Sequence, residues 1–251
     1  MAFIYAYQFI LGAVLGSFYN VVGLRVPENV SIVRPRSHCP ACKRTLGTLD
    51  LVPILSYLFL HGKCRGCGTK ISVVYPAVEL VTGLLFIFAL YRFGLTGELA
   101  IALLFISLLV IIFVSDISHM IIPDKVLLFF LPFLILGRIV VPLEPWWDMF
   151  SGAFSGFALL FLIAIISKGG MGFGDVKLFF VIGLVLGFKL TLLAFFIATL
   201  IGAFYGIAGI AAGRFKKRQP IPFGPFIAVG ALVSYFYGGI ILNWYFRMFD
   251  F

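Results

Sequence analysis

Apolar runs of roughly the length needed to cross a bilayer core succeed one another along most of this chain. That pattern leaves few folds open. Eight runs are read, over 3–24, 75–92, 99–116, 122–142, 150–167, 176–188, 190–212 and 224–246. The sixth is short, and its boundary with the seventh is set at Lys189. Of 251 residues, 62% are hydrophobic and only 12% charged, against about 25% charged in a soluble domain. The expectation is an all-α polytopic membrane protein with about eight transmembrane helices. The first run lacks a basic leader and is too long for a signal-peptide core, so it is read as a span and not as a cleaved signal.

Charge sets the orientation. Fifteen of the nineteen Lys and Arg residues fall in the stretches 25–74, 117–125, 168–177 and 213–223. With eight spans these share one side. Arg92, Arg138, Lys189 and Arg247 make up the rest. The bias puts the first set in the cytoplasm and both termini outside. Trp146 and Trp147, between Glu144 and Asp148, suit the outer interface. The formal charge of +9 is accounted for by this placement, and no basic groove or RNA-type motif points to nucleic acid. The organisation read is a first span at 1–24, a small cytoplasmic zinc-binding loop domain at 25–74 and a bundle at 75–251. Within the loop, LDLVPILSYLFL (49–60) is too short to span and reads as interfacial or re-entrant.

All four cysteines lie in that loop, as Cys39-Pro-Ala-Cys42 and Cys64-Arg-Gly-Cys67. Two CxxC pairs can complete one tetrahedral zinc site, and a site closed by four thiolates leaves no position for water. The metal expected is therefore structural. Gly66 and Gly68 allow the tight turns, and Lys43, Arg44, Lys63 and Arg65 offset the thiolate charge. Two disulfides or four free thiols are the bland alternatives. A reducing cytosol disfavours the disulfides.

The chain has ten acidic residues. Glu28, Asp50, Glu98, Glu144, Asp148 and Asp250 sit in loops or at ends, where a solvated charge is expected. Glu79, Asp116, Asp124 and Asp175 lie in or beside spans, where an ionisable group is costly and commonly functional. Asp116 closes the third run and Asp175 opens the sixth. Two carboxylates brought together share a proton, so one can act as base toward water while the other polarises a carbonyl. Gly169, Gly170, Gly172 and Gly174 would allow close backbone approach near Asp175, with Lys177 as its electrostatic neighbour. Asp124 follows Pro123 and reads first as a helix-start residue. Glu79 would orient a catalytic group, pair with a base or bind a cationic ligand. His38, His61 and His119 carry weak signals. On chemistry alone a paired-acid enzyme competes with a proton-coupled transporter, and a catalytically silent assembly scaffold is the third class.

The segments GSFYNVVGLRVP (16–27), CPAC, HGKCRGCGTKISVVYPAVE (61–79), SDISHMIIPD (115–124), GGMGFGDVK (169–177) and IPFGPFIAVG (221–230) stand in an order that resembles the type 4 prepilin leader peptidases. Gly172-Phe173-Gly174-Asp175 is also the GxGD pattern of membrane aspartyl proteases. The resemblance implies catalytic aspartates at Asp116 and Asp175, supported by Asp124, Lys177, Gly172 and Gly174. It implies removal of the basic leader of prepilins, competence pseudopilins or type II secretion pseudopilins, cut after a Gly at the cytoplasmic face of the bacterial inner membrane. The apolar segment of such a substrate lies in the bilayer, beyond the cut. Members of the family also methylate the new N-terminal residue from S-adenosylmethionine. This chain has no Rossmann-type glycine fingerprint, so that cofactor is expected at another kind of surface, near Gly16, Asn20, Arg25 and Glu79. Membrane lipid is the remaining expected partner.

Overall fold

The computed structural model describes residues 2–167, 170–214 and 220–248. Lys168, Gly169, Lys216, Lys217, Arg218 and Asp250, which enter the readings above, lie outside the described residues. Those that are described form helices and loops without a strand. In order the helices are α1 (Ala2–Arg25), α2 (Leu55–Phe59), α3 (Val74–Phe93), α4 (Gly97–His119), α5 (Asp124–Val140), α6 (Asp148–Ile166), α7 (Phe173–Leu186), α8 (Phe188–Ala211) and α9 (Gly224–Met248). A 3-10 turn at Thr48–Leu51 precedes α2.

Eight helices fall on the eight apolar runs. Six of them, α1, α3, α4, α6, α8 and α9, are long and apolar enough to cross a membrane. The 17 residues of α5 and the 14 of α7 fall below that length. At 1.5 Å per residue α7 is about 21 Å long, shorter than a hydrocarbon core of about 30 Å. Ten of its fourteen residues are buried, so α7 is apolar on all sides because protein surrounds it. Hydropathy reads a protein-buried helix and a lipid-facing one alike. The break between α7 and α8 falls at Gly187, whose φ of +76° suits a residue without a Cβ.

The chain forms two compact units, Met1–Val114 and Ser115–Phe251, and the boundary falls inside α4. In the first, α1 crosses α3 at close range. A Cβ on Gly12 would come within 2.8 Å of Gly83 Cα, and one on Gly16 within 3.0 Å of Glu79 Cα. Small residues one helical turn apart are how helices approach in lipid. The Tyr19 and Ser107 hydroxyls, 2.6 Å apart and buried, tie α1 to α4.

In the second unit α6 and α7 meet at Gly152 and Gly183, where an added Cβ would collide with the opposing backbone. At the end of α7, buried Arg138 donates from Nε to the Val185 carbonyl at 3.0 Å. A cation there satisfies carbonyls that a helix end leaves open. Asp148 does the same at the start of α8. Its Oδ1 accepts the Phe188 N–H at 3.2 Å and the Ser151 hydroxyl at 2.7 Å. This corrects the expectation of a merely solvated charge at Asp148.

Candidate active site and cysteine cluster

The α4 helix delivers Asp116 in its last turn, and α7 delivers Asp175 in its first. Both residues are buried. The first turn of α7 packs through Gly174 on Ile122, in the connection that follows α4, so the two acids stand at adjoining helix ends. Asp116 is fixed by the start of α9, where the Gly224 N–H donates to Oδ2 at 2.7 Å. A Cβ on Gly224 would stand 2.8 Å from that oxygen and 2.9 Å from Asp116 Cβ, so only glycine fits without a shift. Helix starts leave N–H groups unpaired and therefore hold carboxylates well.

The GxGD glycines act through space. A Cβ on Gly174 would lie 2.9 Å from Ile122 Cβ, and one on Gly172 would lie 3.4 Å from Asp175 Oδ2. The first lets the α7 start press on the α4–α5 connection. The second keeps room beside the carboxylate. That connection is itself held by the Ser115 hydroxyl, which donates to the Ile121 carbonyl at 2.6 Å. Lys177 extends to Asp124 at the start of α5, with Nζ 2.7 Å from Oδ2, and lies 5.3 Å above the Phe173 ring. Expected beside Asp175, its ammonium instead pairs with Asp124. Asp124 thus does more than begin a helix, because it ties α5 to the helix of Asp175.

In the N-terminal unit the four cysteine sulfurs lie within 4.8 Å of one another. Cys39 and Cys67 are 3.8 Å apart and Cys42 and Cys64 4.0 Å. These are far from the roughly 2.05 Å of a disulfide. They match the ~3.8 Å edge of a tetrahedron drawn at ~2.3 Å from zinc. Two similar turns build the cluster. The Cys39 N–H donates to the Arg44 carbonyl at 2.9 Å, and the Cys64 N–H to the Thr69 carbonyl at 2.9 Å. Lys43 and Gly68, each four residues past the first cysteine of its pair, have φ of 59° and 70°. Hydrogen bonding with the Thr69 side chain and backbone holds the Cys67 thiol down at about 6, which favours the thiolate that a metal needs. The donor set fits a structural zinc.

Asp50 was expected to be a solvated charge, and the structure corrects this. Its carboxylate is buried and bridges the two turns, meeting Arg44 at 2.7 Å and Arg65 at 3.3 Å. His38 Nδ1 lies 3.1 Å from the Arg36 carbonyl, His61 sits in the turn before Cys64 with φ of 49°, and His119 closes α4.

The residues expected around the cofactor are partly gathered. Gly16, Asn20 and Glu79 share the α1–α3 seam. Glu79 Oε2 accepts the Ile54 N–H at 2.7 Å, and the Ser17 side chain hydrogen-bonds the same carboxylate. Glu79 thereby holds Ile54 at φ of 63°, strained for a β-branched residue. Asn20 donates to the Tyr75 carbonyl at 3.2 Å. Arg25 holds the loop by donating to the Ser31 and Pro35 carbonyls at 3.1 and 2.8 Å. Gly16 is covered by Glu79 and Thr82, so its place is in helix packing. Among these residues the fit to a sulfonium-bearing cofactor rests on the one carboxylate, Glu79.

Sequence reasoning missed Gly224, Ile122 and Arg138. Gly224 and Ile122 lie in the motif segments, but no spacing tells which side chain each meets. An arginine within an apolar run was the available signal for Arg138.

A helical multi-pass protein with two buried carboxylates at adjoining helix ends, and a four-cysteine loop, is the class that fold and site define. Residues 10–93 match the bacterial peptidase A24 N-terminal domain, and residues 103–207 match the type IV leader peptidase family. The chain is 52% identical over 240 residues to a prepilin leader peptidase/N-methyltransferase of Bacillus subtilis, covering 96% of this chain and 97% of that one. It is 40% identical to one of Myxococcus xanthus, over 87% of this chain and 68% of that one. It is 33% identical to one of Aeromonas salmonicida, over 94% and 92%. No solved structure matches. The chain belongs to the type IV leader peptidase family.

Proposed function

We propose that this protein removes the leader from type IV prepilins and methylates the N-terminus so exposed, with Asp116 and Asp175 as the catalytic pair. The observation that carries the reading is two buried carboxylates at adjoining helix ends, in the unit that contains most of the leader-peptidase match. One carboxylate, ionised, takes a proton from water as the oxygen attacks the scissile carbonyl. The other, protonated, donates to the carbonyl oxygen as negative charge develops there. The first then returns its proton to the departing amine. Gly224 and Gly172 keep the carboxylates oriented and uncrowded, and the Asp124–Lys177 pair positions the helix of Asp175.

The basic loops support a cytoplasmic active site in a bacterial inner membrane, where a basic leader would be cut after a Gly. Pseudopilins of competence and type II secretion systems share that substrate chemistry. Cys39, Cys42, Cys64 and Cys67 would hold a zinc that shapes the loop and takes no part in cleavage. S-adenosylmethionine, when bound, supplies the methyl group. Glu79 is the acceptor suited to its positive charge, with Asn20 and Arg25 shaping the surface beside it.

The test is incubation of the purified protein with a prepilin and S-adenosylmethionine, followed by intact-mass measurement. Loss of the leader and gain of one methyl group are expected. An unchanged prepilin mass would overturn the peptidase reading. A mature pilin without the methyl would remove the transferase half alone.

A further inference from the structure

Both α5 and α6 pack on α7. Two cavities lie along these helices, of about 500 and about 480 Å³. Leu131, Phe154 and Phe180 line both, so the two make one groove with a waist. There the Phe154 and Phe180 rings meet edge to face, their centroids 6.1 Å apart. On α5 the lining descends through Asp124, Leu127, Leu131, Ile135 and Ile139, a single stripe at helical spacing. Fifteen residue steps, from Asp124 to Ile139, make that stripe about 22 Å long. Val181 and Leu184 of α7 form the floor. One end opens at Asp124 and Lys177, and Lys177 stands two residues from Asp175. The other end reaches Pro142 and Trp146.

We propose that this groove seats the apolar segment of the substrate that follows the scissile bond. The inference rests on the peptidase reading and adds a specificity site to it. A substrate helix lying in the groove would arrive with its N-terminal end at the Asp124–Lys177 mouth, beside Asp175. The chain would unwind there into the aspartate pair. Apart from the Asp124–Lys177 mouth and Arg138 the lining is apolar, as such a segment requires.

Charge argues against a phospholipid headgroup as the occupant. The two cations that line the groove are engaged within the protein: Lys177 with Asp124, and Arg138 with the Val185 and Val141 carbonyls. A phosphate finds no cation held ready for it, whereas an uncharged helix needs none.

The experiment compares two substrates, a full-length prepilin and a soluble peptide that ends a few residues after the scissile bond. Leu131→Trp fills the waist. It is expected to raise KM for the prepilin about tenfold or more while holding kcat/KM for the short peptide within about twofold. Cleavage of the short peptide also reports that the variant folds. An equal loss on both substrates, or an unchanged prepilin KM, would overturn the proposal. Independently, a photoreactive side chain at Phe154 should attach to the apolar segment of the bound prepilin. Adducts with lipid alone, from an enzyme that cleaves both substrates, would overturn the groove and leave the peptidase standing. Adducts with prepilin, from an enzyme that cleaves neither, would support the groove and remove the peptidase.

Discussion

The two units assemble their chemistry differently. In Met1–Val114 the four ligand-type side chains come from one loop, residues 39–67, through two local turns of like geometry. In Ser115–Phe251 the two carboxylates stand 59 residues apart, and only helix packing brings their helix ends together. Asp116 ends α4, Asp175 begins α7, and Gly224 begins α9. A cluster of the first kind stands on its own loop, with Asp50 as its clamp. A pair of the second kind inherits every packing error beneath it. Removing a metal should therefore damage the first unit and spare the second, while adding one methyl group near a helix end should do the reverse.

The largest effect tests that separation. Asp175→Asn is expected to abolish prepilin cleavage while the metal content, read by elemental analysis, stays at one zinc per chain. Loss of zinc in this variant would break the comparison. Next comes the converse change. Structural zinc binding is worth about 10–16 kcal/mol in zinc-finger peptides, so Cys64→Ser should empty the site and open residues 25–74 to limited proteolysis. The helix content measured by circular dichroism should hold. A loop that stays protease-resistant without metal would show that Asp50 and the turns suffice alone.

Gly224→Ala sharpens the second half. Its new Cβ would crowd Asp116, and overpacking of this kind costs about 1–3 kcal/mol. Cleavage should slow by about five- to 160-fold at unchanged zinc content. A normal rate would mean that the start of α9 can shift without moving Asp116. The smallest effect belongs to the half-exposed Asp124–Lys177 pair. Lys177→Met should cost about 1 kcal/mol or less in stability, a melting shift of about 4 °C at most. A loss well beyond that would assign the pair a weight equal to the buried contacts.

Much of the second unit was visible in the sequence as residue types and little of it as geometry. The apolar runs located eight helices, because lipid and protein interior both select apolar residues. For the same reason they did not separate α7, wrapped by protein, from the six helices long enough to span. Asp116 and Asp175 stood out as acids beside apolar runs, yet the position of Gly224 against Asp116 depends on packing that no local pattern encodes. In the first unit the CxxC spacing carried nearly the whole cluster. Asp50 escaped because a carboxylate in a basic loop reads as solvated until both arginines are seen to converge on it. Lys177 shows the same limit, since nearness in sequence suggested Asp175 and the fold gave it Asp124.

The central claim is that Asp116 and Asp175 act as one unit. It is tested most directly by intact-mass measurement on a prepilin incubated with the unaltered protein, each single Asp→Asn variant and the double variant. Groups that act together lose activity non-additively. The account predicts mature pilin from the unaltered protein alone, and none from either single variant or from the double. Mature pilin from either single variant would contradict it.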